Sequence, residues 1–224
     1  MSFAISLDQV GRGRMNSVDI IEELVKPSIL ECVSLNWAPF KKRKTVLAEH
    51  ELNKPLPRNE LLEVPDFLQD IYGKYNGFRL FLEAKGHRNA LFSMPEWQNV
   101  GALKLYMNEL VRSTGDAIGG YKTEFPIEIG EAQPIGFFGN LSDMIVCRGK
   151  DIMLMDIENI CDNCCSISDL EAWESIDSFF EYLNENMMGL LSSYWRIDYD
   201  NGDQYAVENI MKLNDDRRRE ICGC

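Results

Sequence analysis

Apolar side chains recur at helical spacing in four stretches of the chain and as short β-rich runs between them. The first stretch, "SVDIIEELVKPSILECVSL" over 17–35, puts Ile20, Ile21, Leu24 and Val25 on one helical face behind Ser17 as a candidate N-cap. Pro27 then interrupts or kinks it. The second follows Pro65, a residue suited to a first helical position, and carries Phe67, Leu68, Ile71, Tyr72 and Tyr75 as its stripe. Asn76-Gly77 closes it, because glycine accepts the left-handed geometry of a helix C-cap, and "FRLFLEA" changes to a strand pattern.

Ser93 as a candidate cap and Pro95 in the first turn open the third helix, with Trp97, Val100, Leu103 and Met107 along one face to about Arg112. From 124 to 158 the pattern is that of strands: "FPIEIGEA", then Met144–Cys147 and Ile152–Ile157 flanking "RGKD", a hairpin signal. The fourth helix is expected over roughly 170–187, burying Ile176, Phe180, Leu183 and Met187. On nearly the opposite face Glu174, Asp177, Glu181 and Glu185 recur at spacings of three, four and four. Like charges so placed cost an isolated helix a few tenths of a kcal/mol per pair, so core packing or a partner must favour them. A turn at Asn201-Gly202 and a last helix near 204–219 complete the expected elements.

Charge sharpens this picture. The chain of 224 residues has a formal net charge of −13, and residues 124–203 hold 17 Asp and Glu against 3 Lys and Arg, so one contiguous third carries the acidity. Such a surface repels nucleic acid and anionic lipid and speeds encounter with a basic partner. The basic run "KKRK" at 41–44 reads as a solvated loop. No segment approaches the roughly 20 apolar residues of a membrane span, and the first residues lack the order of a secretory signal, which leads us to expect a cytoplasmic protein. Seven irregularly spaced cysteines fit a reducing compartment.

The material for catalysis is thin. Only His50 and His87 are present, both among polar neighbours and expected on the surface, and neither "GRGR" nor "GDAIGGY" matches a phosphate loop. "DYDNGD" fails the calcium-loop spacing, with Asp203 where glycine is needed and Asn209 where glutamate is needed. Cys161-x-x-Cys164 has the gap of a zinc half-site that Cys222 and Cys224 would complete, but the acids Asp162 and Asp169 and the one-residue gap of the second pair favour a plain connecting loop. No catalytic residue, cofactor or metal is therefore assigned.

The order of these elements resembles the SUKH superfamily, which includes bacterial immunity proteins related to the yeast Smi/Knr cell-wall regulators. The resemblance runs over residues 55–188. It rests on the Pro65-led helix stepping through Tyr75, Asn76 and Gly77 into a strand, on Gly136, Gly139 and Asp143 at the hairpin entry, on Asp156 and Glu158 after the hairpin, and on Ser178, Phe179, Tyr182 and Leu183 in the closing helix. It departs from the family in a helical insertion near 86–123 and in a tail after 188.

The resemblance implies a single α+β domain, with a mixed or antiparallel sheet flanked by helices, between an N-terminal, partly helical extension (1–54) and a C-terminal extension (189–224). It also implies a non-catalytic protein that binds and neutralises a cognate toxin, commonly a nuclease or other nucleic-acid-modifying enzyme, which is basic because it must grip phosphate. The expected partner-binding residues are Asp156, Glu158, Glu174, Asp177, Glu181 and Glu185, with Trp173 as an aromatic anchor. The alternatives are a regulatory scaffold in a larger assembly and a zinc-stabilised module.

Overall fold

In a computed structural model, the described residues are 15–35, 41–82, 90–117, 132–139, 143–156, 171–194, 197–198 and 204–213. They form an α+β structure with two sheets, in which every strand pairing is antiparallel.

The larger sheet is a meander of seven strands in chain order: β3 (Glu49–Leu52), β4 (Phe78–Leu82), β5 (Ala90–Met94), β6 (Gln133–Phe138), β7 (Asp143–Arg148), β8 (Asp151–Asp156) and β9 (Ala172–Trp173). The expected hairpin forms through a turn at Gly149 and Lys150, where Gly149 has φ +63°. All five residues of β5 are buried, as expected of a strand covered on both faces. One face meets α3 (Asp66–Lys74) and α5 (Ile176–Glu185), and the other lies beneath α4 (Val100–Ala117).

On the first face Leu80, Phe92 and Phe138 stand opposite one another on successive strands. Phe92 is the hub, with ring centroids 5.4 Å from Phe138, 5.6 Å from Phe179, and 6.0 Å from Phe78 and Phe180. These tilted and edge-on separations are those aromatic pairs prefer, and all five rings are buried. Ile176, Phe180, Leu183 and Met187 are buried as their spacing demands, although the helix ends at Glu185 and a second, α6 (Met187–Tyr194), continues from it.

The second sheet joins the two ends of the chain. Its order is β10 (Ile197–Asp198), β11 (Gln204–Lys212), β1 (Ser28–Ser34) and β2 (Arg43–Leu47). Here the expectations at both ends are corrected. The helical pattern of 17–35 covers only α1 (Ser17–Leu24), and past Pro27 the β-branched and cysteine-rich "SILECVS" pairs as a strand. The helix expected near 204–219 is a strand over 204–212, because β1 offers "YAVENIM" a register from Ser34↔Tyr205 to Ser28↔Lys212 that local propensity cannot foresee. Leu30, Cys32, Tyr205 and Val207 belong to the same buried cluster as Phe92, so the segments read as separate extensions share one core with the rest. Lys212 ties the ends further by an ion pair to Glu23 at 2.6 Å, and Lys212 and Lys26 together hold the Glu23 carboxyl below its ordinary range.

Smaller corrections follow the same logic. Asn16, not Ser17, caps α1, its Oδ1 accepting the Asp19 N–H at 2.9 Å. Ser93 is buried within β5, and α4 is entered through a 3-10 turn (Trp97–Asn99) behind Glu96. Val100, Leu103 and Met107 are buried and the helix runs on to Ala117. "KKRK" leads into β2 rather than a free loop: Arg43 lies 3.4 Å from Glu208, and the Lys44 ammonium stands 6.0 Å over the Tyr205 ring.

The glycine cap expected at Gly77 is corrected: α3 ends at Lys74 with Tyr75 as an extended C-cap, and Gly77, with φ +84°, serves the turn into β4, where space is the second reason for glycine. A Cβ there would lie 2.7 Å from the backbone of Pro95 and Glu96. Asn76 bridges the same two segments, its Oδ1 accepting the Trp97 N–H at 2.9 Å.

Candidate functional site

The acidic stretch folds into a helix end and its adjoining strand edge. Ser175 caps α5, its Oγ accepting the Ser178 N–H at 3.2 Å, which fixes the orientation of the first turn. Just before the cap, β9 pairs Trp173 with Ile152 of β8. The Trp173 ring packs 5.1 Å from Phe179 and 5.0 Å from Tyr182, so it is half-buried against the helix and acts more as a wall than as a projecting anchor.

The expected acidic residues separate into three groups. Glu174 and Glu185 are exposed, and the exposed Glu171 joins them. Glu181 is half-buried, as is Asp156 at the end of β8, on the sheet face that α5 covers. Asp177 differs from all of these, because its carboxylate accepts the backbone N–H of Ser17 at 2.8 Å and ties α5 to the start of α1. It fills one of the orphan donors of the α1 N-terminus, a place where helix dipole and hydrogen bond both favour an anion. Glu158 lies outside the described residues.

A groove of about 260 Å3 opens beside the helix, lined by Phe138, Leu154, Glu171, Tyr182, Asn186 and Leu190 among others. Tyr182 connects it to the acidic face, with its ring on Trp173 and its phenol held protonated to higher pH by burial first and by Glu171 second. An aromatic wall beside carboxylates receives a guanidinium or ammonium through cation–π and ionic contact together. Glu171 was not singled out in the sequence, although it lies within the helix expected over 170–187 and stands three residues before Glu174 on the same acidic run. Tyr182 had been seen only as part of the helix motif.

His50 and the described cysteines are placed by burial rather than by solvent exposure. His50 is on β3 rather than on a polar surface, and its Nδ1 accepts the Phe81 N–H at 3.2 Å. Phe81 has dropped out of the β3 register with φ +54°, so its N–H has left the ladder and the imidazole takes it up. The Nε2 atom is buried without a hydrogen-bond partner among the described residues, and burial lowers the imidazole pKa to about 4. The unfolded chain, with an ordinary histidine, binds a proton below about pH 6.5 that the folded chain refuses until about pH 4.

Stability is therefore expected to fall as pH drops through that window, by at most about 3 kcal/mol from this group. Urea unfolding at pH 7.5 and 4.5 checks it: His50→Phe should lose less stability between the two pH values than the parent, and equal losses would show that His50 is not responsible.

Cys32 and Cys147 are buried thiols pushed up to about 11 by desolvation, the opposite of a reactive thiolate. Among the described residues no group of His, Cys, Asp and Glu side chains is placed to hold a metal ion. The cysteines of the zinc reading (Cys161, Cys164, Cys222 and Cys224), together with Cys165, His87 and Asn201-Gly202, lie outside the described residues. No described helix is long and apolar enough to cross a membrane. No protein-family model, curated protein or solved structure matches this chain.

Proposed function

We propose that this chain is a non-catalytic binding protein that holds a basic protein partner on the face made by β9 and α5. The cognate partner is a nucleic-acid-cleaving or nucleic-acid-modifying toxin, the class that the SUKH resemblance implies. One observation carries the reading: the exposed Glu171 lines a groove together with Tyr182, whose ring packs 5.0 Å from Trp173, and the exposed Glu174 and Glu185 adjoin these residues along the chain, which joins long-range attraction to a place where a cation can be anchored. A cytoplasmic setting goes with this reading, since an immunity protein meets its toxin there.

The test is to co-express the chain with the product of the neighbouring toxin-type gene and to measure association of the purified pair. Glu174→Lys combined with Glu185→Lys should slow association at least about tenfold and flatten its salt dependence, with melting unchanged. Asp177→Lys belongs to a different class. It leaves the Ser17 N–H unpaired and places a cation at a helix N-terminus, so it should lower stability by about 1–3 kcal/mol before any effect on binding is seen. A complex whose association rate ignores both salt and the Glu174/Glu185 double variant would overturn this interface.

A further inference from the structure

The sheet face turned away from α5 carries a cleft of about 510 Å3, within the range of small-molecule sites. Its floor is one cross-strand row: Glu51, Arg79, Ser93 and Phe137 are direct neighbours on β3, β4, β5 and β6 and so project to the same side. The first turns of α4 roof it through Leu103 and Tyr106.

Polar groups at this floor are unspent. Ser93 is 4% exposed, and its hydroxyl makes no hydrogen bond among the described residues. Its oxygen is not among the fully buried unpaired atoms, so it faces the cleft and is open to a ligand there. Beside it, the Arg79 guanidinium has among the described residues only Glu51, at 3.6 Å, well beyond the 2.7–2.9 Å of a charge-assisted hydrogen bond. Glu96 at the rim is by contrast occupied, accepting from the side-chain amides of Asn53 at 3.2 Å, Gln98 at 2.8 Å and Asn99 at 3.3 Å.

We propose that this cleft binds a small organic monocarboxylate. The carboxylate rests on the Arg79 guanidinium and the Ser93 hydroxyl, and an apolar body lies between Phe137 and Tyr106. Arginine and serine at the floor are donors looking for an acceptor, and the planar guanidinium matches a carboxylate in two parallel hydrogen bonds. Glu51 and Glu96 at the rim oppose a second negative charge, which disfavours a phosphate dianion. Ala102 and Leu103 of α4 complete the apolar side of the cleft. This site is on the opposite sheet face from the acidic helix and stands or falls independently of the toxin reading.

The experiment is a titration of the full chain with 3-phenylpropionate, phenethylamine and inorganic phosphate, followed by calorimetry and by amide chemical shifts. 3-Phenylpropionate should bind saturably and move the amides of Arg79, Ser93 and Phe137, while the amine and phosphate should not. Arg79→Met, which keeps the apolar stem, and Ser93→Ala should each weaken binding by about tenfold or more with melting unchanged. Absence of binding up to about 10 mM, the weak end for a ligand of this size, would overturn the proposal. So would equal binding by Arg79→Met, or equal binding of phenethylamine or phosphate.

Discussion

Deleting residues 204–224 is expected to abolish cooperative folding, although they resemble a dispensable tail. The cut removes β11 from between β10 and β1 and strips β1 of its pairing from Ser28 to Ser34. It takes Tyr205 and Val207 out of the core and uncovers Leu30 and Cys32, which are 0% and 1% exposed. Each large apolar side chain so lost or exposed is worth about 1.5–3 kcal/mol. Three or four of them, with a strand ladder, reach the 5–15 kcal/mol that is a whole domain's stability. Circular dichroism melting and dye binding check it: the truncated chain should show no sharp transition and bind a hydrophobic dye. A transition within a few degrees of the full chain would show that the terminal sheet is an appendage after all.

Phe92→Ala should be the most damaging single substitution in the larger sheet, at about 3–5 kcal/mol. Phe92 is 1% exposed and touches rings from β4, β6 and α5 at once, so its loss leaves a void whose walls belong to three elements and cannot collapse together. Gly136 shows how tightly this region is built, because a Cβ there would meet the Phe92 ring at 2.9 Å and the Ser93 carbonyl at 2.8 Å. Denaturant midpoints with an unchanged slope would measure the loss directly. As a control, Leu105→Ala on the outer face of α4, where Leu105 is 71% exposed, should shift stability by less than about 0.5 kcal/mol. Equal effects at the two positions would mean that the aromatic hub is not the centre of the fold.

The acidic face illustrates how far spacing alone carries a functional reading. Helical periodicity placed Asp177, Glu181 and Glu185 on one stripe correctly, but the helix expected from about residue 170 begins only at Ile176, so Glu174 stands outside it, before the Ser175 cap. What periodicity could not tell was that Asp177 is engaged by Ser17, 160 positions away, while Glu174 and Glu185 remain open to solvent. A charge-reversal experiment designed from the stripe would have confused folding with binding. The cleft on the other face had no signature at all, because its floor takes one residue from each of four strands and no window of sequence contains them together.

By itself the sequence determined several elements that depend on local geometry. The stripe of α3, the β7–β8 hairpin and the buried face of α5 all follow from neighbours within about one or two turns, and each stands where its pattern placed it. Only the tertiary structure decided the ends of the chain and the state of the polar groups. Residues 204–212 form a strand because β1 presents unpaired backbone groups to them, and β1 is a strand because they return the pairing. His50 is a silent, buried imidazole because a bulge at Phe81 turned an N–H toward it. In both cases the deciding partner is distant in the chain, and hydrogen-bond satisfaction in a dry interior outweighs the few tenths of a kcal/mol per residue that local preference supplies.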